Sequence, residues 1–231
     1  MTIKHGMILA AGLGKRMLPI TLKTPKPLIQ IGNKNLLERA IELLINHGVE
    51  EIAINVHHLA NQIKDFINKK KYKLKIIFSD EQDMLLNTGG GIMHATKSFK
   101  KPFIVVNPDT LWSNAYSKKL KDLEDLYYKN RKPCLLVVNK NLSFDSSFKG
   151  DFNLKKEIIS KGTINEFIFT GLQILDQSVF NYRKDKIFSM NKIWDDLIEN
   201  NNLFGIQSNE KFYHLNTKEI YDKISILKII D

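Results

Sequence analysis

The stretch Met7-Ile8-Leu9-Ala10-Ala11-Gly12-Leu13-Gly14-Lys15-Arg16, followed closely by Thr24-Pro25-Lys26-Pro27-Leu28, decides how this chain reads. A short apolar run ending in small residues is a β-strand opening into a loop. Without bulky side chains the backbone N–H groups of such a loop can close around an anion. Lys15, Arg16 and Lys26 supply the counter-charge, so the segment reads as a cradle for a nucleoside triphosphate. Two commoner glycine motifs do not fit. A dinucleotide fingerprint needs a third small residue where Met17 stands, and an ATPase P-loop needs Ser or Thr after its lysine, where Arg16 stands. Taken alone, a glycine pair after a strand is also compatible with simple chain reversal. The linked Lys15-Arg16 and Pro25-Lys26-Pro27 separate the two readings, because prolines on both sides fix the Lys26 backbone for no evident packing reason.

Outward from this loop, apolar β-branched runs alternate with helical patterns. Strands are expected near 6 to 10, 51 to 56 and 74 to 78, with helices near 35 to 47 and 59 to 68 between them. The first helix carries Leu36, Leu37, Ala40, Ile41, Leu44 and Ile45 on one stripe and stops at Gly48. A short helix after Gly89 to Gly91, strand 103 to 106, helix 118 to 130 and strand 134 to 139 continue the βαβ traffic of a parallel sheet. From 143 to 175 extended segments and polar turns take over. Helix 192 to 199, strands 203 to 207 and 212 to 215, and a helix from 217 follow. The second half therefore reads as a substrate-facing insertion whose last elements return to the main sheet. Open α/β sheets bind ligands beyond the carboxyl ends of their strands, where every motif singled out falls.

The 231 residues suit one sizeable α/β domain, and no hexapeptide period follows residue 180. The chain carries 35 Lys and Arg against 25 Asp and Glu, a net +10. That excess is compatible with nucleic acid, a membrane surface or small polyanions. Its runs, Lys69-Lys70-Lys71 and Lys100-Lys101, lack the interleaved aromatics of single-strand binders, so no nucleic-acid partner is expected. The one cysteine, Cys134, lies in an apolar run and reads as an inert core thiol. With no signal-peptide pattern and no long apolar stretch, a soluble, cytoplasmic protein without membrane contact is expected.

The segment Leu9 to Met17, with Pro19, Thr21 and Thr24 to Leu28, resembles the signature of the sugar-1-phosphate nucleotidylyltransferases almost position for position. The likeness continues through Thr88 to Ile92, Val105 to Asp109, Gly150 to Phe152 and Thr170-Gly171. Among subfamilies the chain is most similar to the short N-acetylmuramate-1-phosphate uridylyltransferases of peptidoglycan recycling. The resemblance implies a Rossmann-like (GT-A-like) α/β nucleotidyltransferase fold, with a mixed, mostly parallel sheet flanked by helices on both faces. It divides the single domain into a nucleotide-binding core (1–140), a sugar-binding part (141–205) and a return to the core (206–231). In the implied reaction a sugar-phosphate oxygen attacks the α-phosphorus of a triphosphate, UTP first among candidates, and pyrophosphate leaves in line. Both reactants are anions, so cations and Mg²⁺ carry the chemistry. By the same resemblance Ala11, Gly12 and Gly14 cradle the triphosphate, Lys15 and Arg16 face its β and γ groups, and Lys26 reaches the α-phosphate. Gly89 and Gly90 allow flat approach of base or ribose, with Glu81 and Gln82 as candidates for reading the base edge. Asn107, Asp151, Thr170 and Gly171 are assigned to substrate, and Asp109, at the tip of an apolar strand, to Mg²⁺. A monomer or small homo-oligomer is expected.

Two departures stand out. Where the family has Trp-x-Asp-x-Gly-Thr, this chain has Phe212-Tyr213-His214-Leu215-Asn216-Thr217. A histidine in place of the second carboxylate is a weak Mg²⁺ ligand. His214 is nevertheless expected to line the metal site with Asp109, a hydrogen bond to phosphate or metal-bound water and a structural ring being the alternatives. The Glu-Lys pair that grips the sugar phosphate in longer members is also missing, since Phe167 follows Glu166. The remaining histidines show no metal spacing. Rival readings are a mannose-1-phosphate guanylyltransferase and a nucleotide-sugar binding protein without catalysis.

Overall fold

The computed structural model describes residues 2–227. Strand β1 (His5–Leu9) opens the chain and a two-residue hairpin, β2 (Gln30–Ile31) and β3 (Lys34–Asn35), closes the first loop. Helix α1 (Leu36–His47) is capped at its start by the Asn35 side chain, which accepts from the Glu38 N–H. It ends at Gly48 in the left-handed conformation, where glycine alone is unstrained. Then follow β4 (Glu51–Val56), α2 (Ala60–Lys70), β5 (Lys75–Asp80), α3 (Asn87–Ala95), β6 (Phe103–Val106), α4 (Ala115–Asn130) and β7 (Cys134–Asn139). The second half adds β8 (Asn153–Lys155), β9 (Ile158–Ser160), β10 (Phe167–Leu175), α5 (Met190–Glu199), β11 (Phe204–Ser208) and α6 (Lys218–Ile226).

Nine strands form one sheet in the order β5-β4-β1-β6-β10-β7-β11-β9-β8. Pairs β4–β5, β1–β4, β1–β6 and β7–β11 are parallel. β10 runs antiparallel to both of its neighbours, β6 and β7. The expected mixed, mostly parallel α/β architecture is therefore present. Period-two alternation explains its two cores. Ile8, Ile54, Ile104 and Leu136 face one side with α1, α2 and α4, whereas Met7, Ala53, Val105 and Leu135 face the other with α3 and α5.

Two expectations change. The second half is not an insertion set apart from the core, because the apolar strand β10 lies in the middle of the sheet. The expected strand at 212–215 is absent: Phe212 bridges Ser143 and His214 bridges Thr110. The segment passes from one partner to another in too few residues to build a ladder. Among the described residues, no helix is long and apolar enough to cross a membrane.

Candidate active site

A cleft of about 570 Å³ opens beyond the carboxyl ends of β1, β4 and β6. Its floor is the loop after β1, with Ala11, Gly12, Gly14, Lys15 and Arg16 on the wall. Gly14 has φ +62°, and a Cβ there would stand 2.7 Å from Thr21 Cγ2 and 3.2 Å from Lys26 Cβ. Thr21 Oγ1 in turn donates to the Gly14 carbonyl at 3.0 Å. Gly14, Thr21 and Lys26 are thus one packing unit, which accounts for their joint appearance in the motif. A Cβ on Gly12 would meet nothing within 4 Å, so the cleft is open above it. Lys15 and Arg16 are exposed, with no side-chain partner among the described residues.

Lys26 Nζ lies 2.7 Å from Asp109 Oδ2, and His214 Nε2 lies 3.2 Å from the same oxygen. A carboxylate only accepts, so the His214 proton sits on Nε2. Burial disfavours the Asp109 charge, but Lys26 and His214 overcome that and hold its carboxyl well below the usual carboxylate range. Both partners use Oδ2, while Oδ1 is buried with no hydrogen-bond partner. Leaving a buried acceptor unpaired costs on the order of 1–3 kcal/mol. That unpartnered oxygen belongs to an ionised carboxylate whose residue lines the cleft, and a hard divalent ion is the kind of partner that fits it. His214 is not on the cleft wall. Its ring stacks on Phe212 at 5.8 Å and its Nδ1 is buried without a partner.

Other expected site residues divide between wall and scaffold. Asn107 lines the cleft, and its N–H donates to the Gly171 carbonyl at 2.7 Å. Gly171, φ +93°, marks the register break in β10, and a Cβ there would meet Asn107 Cβ at 2.8 Å. It shapes the backbone around Asn107 and is not itself on the wall. Thr170 is fully buried and donates to the Leu136 carbonyl, while its own carbonyl accepts from Thr110. Asp151 is exposed and accepts from the Phe169 N–H, away from the cleft. Glu81 is on the wall, but Asn55 Nδ2 and the Leu86 N–H occupy its two oxygens.

The glycines at the start of α3 act differently from the expectation. A Cβ on Gly89 would stand 2.3 Å from the Phe188 ring, and one on Gly90 would stand 2.1 Å from the Lys186 carbonyl oxygen. Both N–H groups donate to the Phe188 carbonyl. The close approach is made by the chain's own segment 186–188, and Gly89 and Gly90 are off the cleft wall. Asn87, Thr88, Leu85 and Ile187 line it in their stead.

Asn55, missed from the sequence, ties the site together. Its Oδ1 accepts from the Ala10 N–H at 2.8 Å while Nδ2 donates to Glu81 at 2.7 Å, joining the glycine loop to the end of β5. Its signal was a polar residue inside the apolar run Ile52 to Val56. Asn216, also on the wall, was visible as a side chain replacing the motif glycine. Leu85 and Ile187 had no signal. His57 and His58 buttress the carbonyls of Glu81 and Thr21. Cys134 is buried and its thiol is pushed up to about 12, chiefly by burial, which leaves it inert.

This geometry has known counterparts. The nucleotidyl transferase family matches residues 5–142. Over 221 residues the chain is 27% identical to the N-acetylmuramate alpha-1-phosphate uridylyltransferase of Caulobacter vibrioides, covering 92% of this chain and 91% of that one. It is 33% identical to the enzyme of that name from Neisseria meningitidis over 76% of both chains. A mannose-1-phosphate guanyltransferase of Saccharomyces cerevisiae is 36% identical over 51% of this chain and 33% of its own. The fold superposes on UDP-glucose pyrophosphorylase from Acinetobacter baumanii with a TM-score of 0.80 at 15% identity, covering 97% of this chain and 92% of that one. With the family matched across the nucleotide-facing half and relatives aligned along most of the chain, this protein belongs to the nucleotidyl transferase family, as a sugar-1-phosphate nucleotidyltransferase.

Proposed function

We propose that the chain joins UTP to N-acetylmuramate 1-phosphate, releasing pyrophosphate and forming UDP-N-acetylmuramate, with Mg²⁺ as its cofactor. The observation that carries the reading is the convergence of Arg16, Lys26 and Asp109 on one cleft with the open backbone at Gly12. The choice of uridylyl group and sugar comes from the names of the relatives that align along most of the chain.

The roles follow from charge. Ala11, Gly12 and Gly14 bring backbone N–H groups to the triphosphate, and Lys15 and Arg16 neutralise its outer phosphates. Lys26 has three ammonium protons, of which Asp109 takes one. The others can meet the α-phosphate, where negative charge grows during in-line displacement. Asp109 would hold Mg²⁺ through Oδ1; the ion, when bound, shields the phosphates from each other and orients them. His214 acts through Asp109 by fixing Oδ2. Asn107, held by the Gly171 carbonyl, would contact the sugar side.

Pyrophosphate release from UTP, GTP and CTP against N-acetylmuramate, mannose and glucose 1-phosphates tests the assignment. The expected outcome is turnover confined to UTP with N-acetylmuramate 1-phosphate. Preference for GTP with mannose 1-phosphate overturns the substrate, and no release with any pair overturns catalysis.

A further inference from the structure

Asn216 has a fixed and unusual orientation. Its side chain is 7% exposed and sits on the cleft wall with Asp109. Its Nδ2 donates to Asp145 Oδ2 at 2.7 Å, and Asp145 is held in turn through Oδ1 by the Ser147 N–H at 2.9 Å. A carboxylate offers no proton, so the amide cannot flip without losing this bond. Asn216 Oδ1 is therefore the atom left over, and it is buried with no donor.

Asp109 Oδ1 and Asn107 Oδ1 are likewise buried without a partner, and both residues line the same cleft. The backbone holds two of these residues side by side: the Leu215 N–H donates to the Asp109 carbonyl at 2.8 Å, and Thr110 bridges His214. A substrate hydroxyl brings one proton and can satisfy one such oxygen. A divalent cation satisfies several at once, and hard ions select oxygen ligands of this kind. Among the described residues no group of three His, Cys, Asp or Glu side chains could hold a metal, so a cation here needs neutral oxygens. His214 cannot serve with Nε2, which is spent on Asp109.

We propose that Asn216 Oδ1 is the second protein oxygen offered to the divalent cation beside Asp109 Oδ1, with Asp145 as the residue that aims it. The proposal rests on the reading of the chain as a metal-assisted nucleotidyltransferase. Asn216 thereby takes over, from two positions along, the place in the motif that His214 vacates as an oxygen ligand. The site then carries one negative charge fewer than a two-carboxylate site, and depends more on phosphate oxygens to complete the coordination.

The test is Mn²⁺ titrated into the full chain without nucleotide, followed by electron paramagnetic resonance of the free ion. In Asn216→Ala the Mn²⁺ dissociation constant should rise about tenfold. Asp145→Asn, which keeps Oδ1 of Asn216 but releases its aim, should give a smaller rise, and Asp109→Asn should abolish binding. Mn²⁺ affinity equal to wild type in Asn216→Ala, or no Mn²⁺ uptake by the wild-type chain, overturns the proposal. If Asn216→Ala binds Mn²⁺ normally while the wild type still releases pyrophosphate and Asp109→Asn does not, only the Asn216 assignment falls. Absence of pyrophosphate release with every substrate pair removes the reading beneath it.

Discussion

At the scale of single residues, the site is organised by shared partners. Asp109 Oδ2 serves Lys26 and His214 together, and the pair with Lys26 is largely removed from solvent. Removing the ammonium leaves a partly buried carboxylate with one fewer donor and, on the proposed function, the α-phosphate without its counter-charge. Lys26→Ala should lower the rate of pyrophosphate release by about 10²–10³-fold, measured under saturating nucleotide. A variant within a few-fold of wild type would show that Lys26 only holds Asp109 and does not meet the α-phosphate. Gly14 teaches a related lesson. Its left-handed backbone and its contacts with Thr21 and Lys26 mean that the loop glycine fixes where the Lys26 side chain leaves the backbone.

At the scale of elements, α3 and segment 186–188 behave as one unit. Successive glycines cost a helix start entropy, and at Gly89 and Gly90 the structure shows what they make possible: a second chain segment lying directly on the helix backbone. Gly89 and Gly90 both donate to the Phe188 carbonyl, and Thr88 Oγ1 accepts from the Met190 N–H at 2.9 Å. Gly90→Ala would place a carbon 2.1 Å from the backbone oxygen of Lys186. Backbone cannot rotate away as a side chain can, so the segment must shift. Thermal denaturation should show a loss of about 1–3 kcal/mol, and nucleotide binding should weaken because Ile187 moves with the segment. Unchanged melting would mean that the segment yields freely and contributes little to the cleft. The residue type alone, a glycine run at a helix start, cannot distinguish ligand approach from approach of the chain itself.

At the scale of the molecule, the site draws on the loop after β1, on Asn55, on residues 81–88, on Asn107 to Asp109 and on Asn216, all gathered at one end of the sheet. The opposite end is held by a buried carboxylate. Glu124 of α4 accepts from the Ile3 N–H, pairs with Lys121 at 3.0 Å and faces His47 at the end of α1 at 3.3 Å. Burial would raise its affinity for a proton, but the Ile3 N–H, Lys121 and His47 outweigh that and hold it below its ordinary value of 4.5. A carboxylate held low in the folded state adds stability above its unfolded value, and that stability is lost as pH falls through the folded value. Glu124→Gln should therefore melt earlier than wild type near neutrality, with the gap closing as the pH drops below about 4.5 in melts recorded across the acid range. A gap independent of pH would show that the contribution is packing and not charge. What the sequence determined by itself was local. The strand-loop signature with Lys15, Arg16 and Lys26, the Asp109 strand tip, the α1 stop at Gly48 and the βαβ order of the first half were all legible, because neighbouring residues set turn conformation, periodicity and charge. Only the tertiary structure decided which polar groups line the cleft. Thr170, Gly171 and Asp151 stand in the same motifs yet turn to scaffold bonds, whereas Asn55 and Asn216 reach the wall. It also decided that β10 runs through the middle of the sheet. Those outcomes depend on contacts between segments far apart in the chain, and a local pattern carries no record of which distant backbone will come to lie against it.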